Sequence, residues 1–414
     1  MTPPLKILFY DDAVDFGGHE LMTMAALRHA VAQPNVEAAF MFCRGNVRLS
    51  RQIAELAAQC LAFKPLPQNY ASGRFQAFRT LVSGRAIRGI AASMSAYAPD
   101  VVVVAQGAIA FGSAGLIAAK RAGLHTISYI PMTHPERLFS ASRFKAALRE
   151  PVNRSYYRLP DEYITISRRM EDYLRRKGLR QPVTVVPAAV DLAACRPADR
   201  DTARAALGLG AGDWVFALIG RVQFWQKRQD LAVKALALAR QRVANLKLLM
   251  VGDGPDLAAL KALARAEGVE DAVVFAGWAD GLSAVYSAID ALVIPSRYEG
   301  VPLVMLEAMY FGRPVLASAV DGMADTLPPH WLFPSGDAAA LAARMVEMTS
   351  AYEPALLEAH KQLVLGSFSM PAFEAAFMAA IRLAASRHGA VLDAAVQAAQ
   401  EQAAQEPVGR NGVA

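Results

Sequence analysis

Short runs of β-branched and aromatic residues alternate with helix-length amphipathic stretches along almost the whole chain. No other feature restricts the fold as much. In the front half the runs are Leu5–Tyr10, Val36–Phe42, Val101–Ala105, Thr126–Pro131, Tyr163–Ser167 and Val183–Pro187, with helical stretches such as Glu20–Ala32 and Val47–Ala58 between them. Strands separated by helices pair in parallel, with the helices covering both faces of the sheet. Pro187 and Pro197, set among small residues, mark a linker. A second series follows, with strands at Trp214–Gly220, Leu246–Gly252, Ala272–Gly277, Ala291–Ser296 and Pro314–Ser318, and helices at Asp230–Val243 and Leu257–Glu267. The expected fold class is α/β, with two Rossmann-like doubly wound domains at 1–190 and 191–367 facing a central cleft. An amphipathic helix at 368–388 is expected to pack back towards the first domain, and the Ala/Gln-rich remainder, 389–414, is expected to be a flexible tail, either a frayed helix or disordered.

Composition supports two large cores: of 414 residues, 54% are hydrophobic and 19% charged. Three widely spaced cysteines, Cys43, Cys60 and Cys195, argue against a disulfide scaffold or a cysteine zinc site and fit a reducing compartment. Val101 to Ala119 carries no charge and mimics a membrane span, but glycines interrupt it and four valines open it, so a buried strand and a small-residue helix are expected instead. The first residues run directly into a strand, with Asp11 and Asp12 where a secretory signal would be apolar, so a cytoplasmic location is expected. Charge is uneven. Residues 1–190 hold 24 Lys+Arg and 13 Asp+Glu, leaving 19 and 24 for the rest. A basic front half implies an anionic partner.

Doubly wound domains take ligands outside the carboxyl ends of their strands. The candidate residues lie there. Gly17 and Gly18, between the first strand and first helix, let a backbone approach a ligand at a helix N-terminus, although a plain capped turn reads equally well. His134 sits just past a strand. Arg221 follows Gly220 at a strand end and Lys227 comes six residues later; both cations could hold a diphosphate, or could simply be solvated. Gly252-Asp253-Gly254-Pro255 makes a tight strand-to-helix turn, as compatible with structure as with ligand contact. The strongest segment runs from Pro295 to Met309. Glu299 ends its loop, the amides from Gly300 through Val301 and Pro302 to Leu303 open a helix, and Glu307 stands one turn inside an otherwise apolar helix, where burial without partners is costly.

With these motifs in this order, the chain resembles the retaining glycosyltransferases of family 4 (glycosyl transferases group 1), which have the GT-B fold. The resemblance runs from Gly17-Gly18 through Arg221, Lys227 and Gly252-x-Gly254-Pro255 to Glu299, Glu307 and Phe311-Gly312-Arg313-Pro314-Val315, about residues 5 to 385. It implies that Arg221 and Lys227 bind the donor diphosphate and stabilise it as leaving group. Glu307 would hold the ribose hydroxyls. Glu299 and the amides of Gly300 to Leu303 would hold the transferred sugar, with His134 near the reacting carbon. Gly17 and Gly18 would lie under the phosphates, and backbone at Gly277 and Trp278 would meet the base. It implies no metal and no cofactor beyond a nucleotide-sugar co-substrate, UDP- or GDP-hexose. The sequence departs from many members at Arg228 and at Gly300-Val301-Pro302, which bears on donor identity.

The expected function is a hexosyltransferase that moves sugar to a saccharide or lipid-linked acceptor in cell-envelope or exopolysaccharide assembly. The alternatives are a nucleotide-sugar epimerase or hydrolase on the same fold, and a catalytically silent scaffold. Residues 137–185 contain 12 Lys+Arg and five Asp+Glu, and Arg143-Phe144-Lys145-Ala146-Ala147-Leu148-Arg149 with Arg154, Tyr156, Tyr157 and Arg158 interleaves cations with apolar side chains, so a peripheral contact with an anionic membrane surface is a further expectation, a solvated helix face being the alternative. No nucleic-acid module is present in the sequence pattern.

Overall fold

The computed structural model describes residues 3–73, 75–134, 138, 143–193, 195–279, 281–351 and 353–405, with backbone alone at 143 and 390–405. Strands β1 (Leu5–Asp11), β2 (Val36–Cys43), β3 (Phe63–Gln68), β4 (Val101–Ala105), β5 (Thr126–Tyr129), β6 (Glu162–Thr165) and β7 (Val183–Val185) form one sheet in the order β3-β2-β1-β4-β5-β6-β7. Strands β8 (Trp214–Ile219), β9 (Leu246–Val251), β10 (Val273–Gly277), β11 (Ala291–Ile294), β12 (Val315–Ser318) and β13 (Leu332–Phe333) form a second, β10-β9-β8-β11-β12-β13. Neighbouring strands in both sheets are parallel. In each sheet the strand order reverses beside the first strand, at β1/β4 and at β8/β11. That reversal opens a crevice at the strands' carboxyl ends.

The expected strands all form, Val101–Ala105 with the expected ends and the others with an end shifted by one or two residues. Two more appear. β3 reads Phe-Lys-Pro-Leu-Pro-Gln. Its two prolines cannot donate to a ladder, and it is tolerated because it lies at the sheet edge beside β2 alone. β13 has only two residues and closes the other sheet at its edge. The uncharged stretch from Val101 divides into the wholly buried β4 and the helix Ser113–Arg121. Among the described residues no helix is long and apolar enough to cross a membrane.

The chain passes between the lobes twice, side by side. Val190 bridges Ser369, and its amide donates to the Phe368 carbonyl at 2.9 Å. The last helix, Met370–Gln405, then lies against the front lobe. Phe377 meets the Tyr129 ring edge-on at 5.2 Å, Glu374 pairs with His29 at 3.4 Å, and Arg387 pairs with Glu162 at 2.8 Å. The helix continues past residue 388, so 389–405 is helical rather than tail-like. Residues 406–414 lie outside the described residues.

One buried guanidinium organises the base of the rear lobe. Arg204 is 4% exposed. It donates to the carbonyls of Ala288 (2.9 Å), Gly210 (3.0 Å) and Asp213 (3.0 Å) and to Asp290 Oδ2 (2.8 Å), while Asp290 also accepts from the Val215 amide at 2.8 Å. These bonds tie the first helix of the lobe to the starts of β8 and β11. Arg204→Leu leaves several buried carbonyls without a donor and takes from Asp290 one of its two guanidinium partners, Arg200 remaining as the other, so it should cost about 3 kcal/mol. The check is a lower urea midpoint with an unchanged slope.

Candidate functional site

Glu299 is the centre of the cleft. It ends the loop after β11, and the helix Leu303–Tyr310 begins just beyond it, with Pro302 at its N-cap. The residue is 6% exposed, and its polar groups are engaged from four directions. Its Oε1 accepts from Lys227 Nζ at 2.6 Å and from Ser296 Oγ at 2.7 Å. Its amide donates to Asp321 Oδ2 at 2.8 Å, and its carbonyl lies 3.2 Å from His134 Nε2. His134 belongs to the front lobe, so this contact crosses the cleft. The His134 ring is buried, meets Tyr298 at 5.3 Å, and stands 3.6 Å from Asp321 Oδ2. Burial pushes the imidazole below its ordinary range, against the opposing pull of Asp321 and the Glu299 carbonyl. Burial likewise pushes Asp321 up, opposed by His134. The structure therefore brings together Lys227, Glu299 and His134.

The lobes touch beside this cluster because Gly300 has no side chain. A Cβ there would sit 2.8 Å from Ile166 Cδ1 and 3.3 Å from the Pro131 carbonyl, both in the front lobe. The amides of Gly300, Val301 and Leu303 donate to no protein acceptor among the described residues. Pro302 has no amide hydrogen, so the expected run of donors from 300 to 303 contains three, not four.

Arg221 follows β8 and is exposed, with no ion-pair partner among the described residues. Its loop is seated by the turn after β9. Gly252 has φ +137°, and a Cβ on it would run into the Gly220 carbonyl; one on Gly254 would run into the Val222 backbone. Those two glycines are required by this close approach. The short helix Phe224–Lys227 then turns the ammonium back towards Glu299. It is latched on both sides: Trp225 Nε1 donates to the Leu138 carbonyl at 2.8 Å, the Arg297 guanidinium lies 4.1 Å over the Trp225 ring, and the Arg297 amide donates to the Gln226 carbonyl at 2.8 Å.

Glu307 is half-buried, and its Oε2 accepts from the Tyr286 hydroxyl at 2.6 Å. Burial raises its carboxyl above the usual range and the Tyr286 bond opposes the rise. Gly277 ends β10 with φ +70° and accepts from the Gly252 amide at 2.7 Å; Trp278 beside it is exposed. In the front lobe Gly17 and Gly18 are exposed at the start of the helix Gly18–Ala32, and the Gly17 amide donates to Glu20 Oε2 at 2.8 Å. Arg221, Glu307, Gly277, Trp278, Gly17 and Gly18 thus stand at strand carboxyl ends or the helices after them. No hydrogen bond or ion pair among the described residues joins their side chains to the Glu299 cluster.

Three residues escaped the sequence reading. Ser296 lay inside the segment singled out, but nothing marked its hydroxyl. Asp321 follows β12 within a few residues, which is the one available signal. Tyr286 lies far from Glu307 along the chain and carries no signal at all.

Two family models divide the chain: one described as glycosyl transferases group 1 matches residues 214–351, and one described as glycosyl transferase 4-like domain matches residues 21–189. The D-inositol 3-phosphate glycosyltransferase of Actinosynnema mirum is 40% identical over 152 residues, 34% of this chain and 36% of that protein. The 2-deoxystreptamine glucosyltransferase of Streptomyces kanamyceticus is 30% identical over 261 residues, 59% of this chain and 66% of that protein. The chain therefore matches 36% of the length of the first of these relatives. Among solved structures, Anabaena HepE in complex with UDP aligns with a TM-score of 0.73 at 18% identity, covering 91% of this chain and 100% of that one. The lipopolysaccharide outer core galactosyltransferase WaaB aligns with a TM-score of 0.67 at 20% identity, covering 91% and 99%. At these identities the structural likeness shows the fold alone.

Glu307 yields a test of sign. Its folded-state pKa is raised, so the folded form holds the proton more tightly than the unfolded one. That contribution to stability is complete below the unfolded carboxyl value of 4.5 and is lost as pH rises through the folded value. Glu307→Gln cannot ionise, so it should melt higher than the parent at pH 7, and the gap should close by about pH 4. Thermal melts of both proteins across that range are the measurement.

Proposed function

Because the chain belongs to the family 4 glycosyltransferases (glycosyl transferases group 1) with the GT-B fold, we propose that it transfers a hexose from a nucleotide-diphosphate sugar to a saccharide or lipid-linked acceptor with retention of anomeric configuration. One observation carries this reading: Lys227 Nζ and Glu299 Oε1 meet at 2.6 Å where the two lobes touch, beside three undonated amides. A cation next to a hydroxyl-binding carboxylate is what departure of a sugar from its diphosphate needs. Lys227 and Arg221 receive the negative charge that develops as the bond from the sugar's anomeric carbon to phosphate oxygen breaks, with the electron pair leaving on the phosphate. The acceptor oxygen bonds to the same face of that carbon, and its proton passes to the departing phosphate. Glu299 and the amides of Gly300, Val301 and Leu303 hold sugar hydroxyls. Glu307 holds the ribose diol, with Tyr286 fixing the carboxylate from the other side. Gly17 and Gly18 approach the phosphates, Gly277 and Trp278 approach the base, and buried His134 stands by the reacting carbon. HepE holds UDP, which makes UDP-hexoses the first donors to try.

The acceptor side has a second element. Helix Arg143–Tyr156 presents Phe144 and Leu148, 79% and 56% exposed, and the neighbouring helix Gln76–Val82 presents Leu81 and Val82, 60% and 84% exposed. Lys145, Arg149 and Arg154 lie on the first of these helices and Arg79 on the second, and Arg149 lies 5.6 Å over the Phe75 ring. Tyr156 and Tyr157, expected on this face, are instead buried, the Tyr156 hydroxyl donating to the Ala77 carbonyl at 2.6 Å, and the side chain of Arg143 lies outside the described residues. Apolar side chains ringed by cations suit an anionic membrane surface that carries a lipid-linked acceptor. Co-sedimentation at low salt should be strong with anionic liposomes and weak with neutral ones; equal binding to both overturns the membrane contact.

The transfer itself is tested by supplying UDP-, GDP- and ADP-hexoses with and without acceptor, preceded by a melting-shift panel of the nucleotides. Turnover that requires an acceptor supports transfer. Turnover without one points to an epimerase or hydrolase, and none with any donor points to a silent scaffold. Lys227→Ala should lower turnover by a factor corresponding to about 2–4 kcal/mol, because it acts on charge present chiefly in the transition state. An unchanged rate removes Lys227 from the leaving-group role.

A further inference from the structure

The end of β1 buries three carboxylates against one imidazole. Asp11, Asp12 and Glu20 are each 1% exposed. Asp12 is satisfied by neutral donors: the Tyr10 hydroxyl at 3.1 Å, the Gly112 amide at 2.9 Å and the Ser72 hydroxyl. Asp11 and Glu20 differ from it. Each engages one oxygen with a backbone amide, Asp11 Oδ1 with Ala13 and Glu20 Oε2 with Gly17, both at 2.8 Å. Their second oxygens, Asp11 Oδ2 and Glu20 Oε1, are closed off from solvent and accept no hydrogen bond. Both face one atom, His19 Nε2, at 3.6 Å and 3.0 Å. Among the described residues no Lys or Arg pairs with any of the three carboxylates.

A buried carboxylate oxygen without a donor is costly, and a single imidazolium can offset only one of the two negative charges. A divalent cation offsets both. The geometry suits one. Two ligand atoms about 2.1 Å from a common ion at a tetrahedral angle lie about 3.4 Å apart, and the observed separations fall on either side of that. All three ligand atoms lie within 4.8 Å of one another. A set of one imidazole nitrogen and two carboxylate oxygens favours an ion of the zinc class over magnesium or calcium, which prefer oxygen alone.

We propose that Asp11 Oδ2, His19 Nε2 and Glu20 Oε1 bind one divalent transition ion of the zinc class. His19 and Glu20 stand in the first turn of the helix Gly18–Ala32, Asp11 ends β1, and the Gly17 amide is bonded to Glu20. The ion therefore clamps the Gly17-Gly18 turn to the end of the strand. It sits in the front lobe and takes no part in the leaving-group chemistry assigned to Lys227 and Arg221 in the rear lobe.

The test uses the full chain, stripped with a chelator, desalted and titrated with Co²⁺ and then Zn²⁺ against a chromophoric competitor. One equivalent of Co²⁺ should bind with visible d–d absorption, and Zn²⁺ should displace it. His19→Ala and Asp11→Asn should each weaken binding by more than roughly 100-fold. His330→Ala, which alters an exposed pair with Glu353 and an edge contact with Trp331 in the rear lobe, should bind as the parent does. Absence of a cobalt band in the parent protein overturns the proposal even if the variants fail to fold, and so does parent-like binding by His19→Ala. Neither readout requires sugar transfer, so failure here leaves the glycosyltransferase reading intact, and failure of transfer leaves this one intact.

Discussion

Glu299 is the residue on which the cleft depends. A carboxylate this deeply buried needs a paired cation and hydrogen-bond donors, because an uncompensated charge would cost several kcal/mol. Lys227 and Ser296 both donate to one carboxylate oxygen, Oε1, Asp321 takes the amide, and His134 reaches the carbonyl from the opposite lobe. Each partner comes from a different element, so the cluster fixes the loop after β11, the short helix after β8 and the start of the helix after β12 relative to one another. It also places a strong cation where the lobes meet, held by an interaction that an incoming anion can replace without leaving the ammonium uncompensated.

The parallel sheets explain why so many of the candidate groups share this region. With parallel strands, every carboxyl end points the same way, and the following helix begins there with undonated amides. Arg221, Gly252, Gly277, Glu299 and Asp321 all lie at or just after strand ends of one sheet, and Asp11, Gly17 and His134 lie at or after strand ends of the other. Close packing does the fine placement. Without side chains at Gly252 and Gly254 the β9 turn can seat the Arg221 loop, and without one at Gly300 the rear lobe can touch Ile166 and Pro131.

Much of this was legible from the residues. Strand and helix periods identify both sheets, because burial on two faces leaves near-continuous apolar runs. The exceptions have physical causes: β3 carries two prolines that only an edge position tolerates, and β13 is too short to show a period. Lys227, Glu299 and His134 could each be singled out as a polar residue just beyond a strand. Tyr286 could not, since a tyrosine at the end of an apolar helical segment looks like core until its hydroxyl is seen on Glu307. The tail from Gly389 reads by composition as a frayed helix or disordered; alanine and glutamine are good helix formers, and the helix continues to Gln405.

The order of strands and helices, the two-lobed parallel architecture and the assignment of polar residues to strand ends follow from local pattern, because hydrophobic period and turn chemistry act over a few residues. Which charges meet was decided only by the tertiary structure. Lys227 and Glu299 are 72 residues apart and His134 and Glu299 are 165 apart. Their contact depends on β8 lying beside β11 and on how one lobe settles against the other, and no local periodicity encodes either.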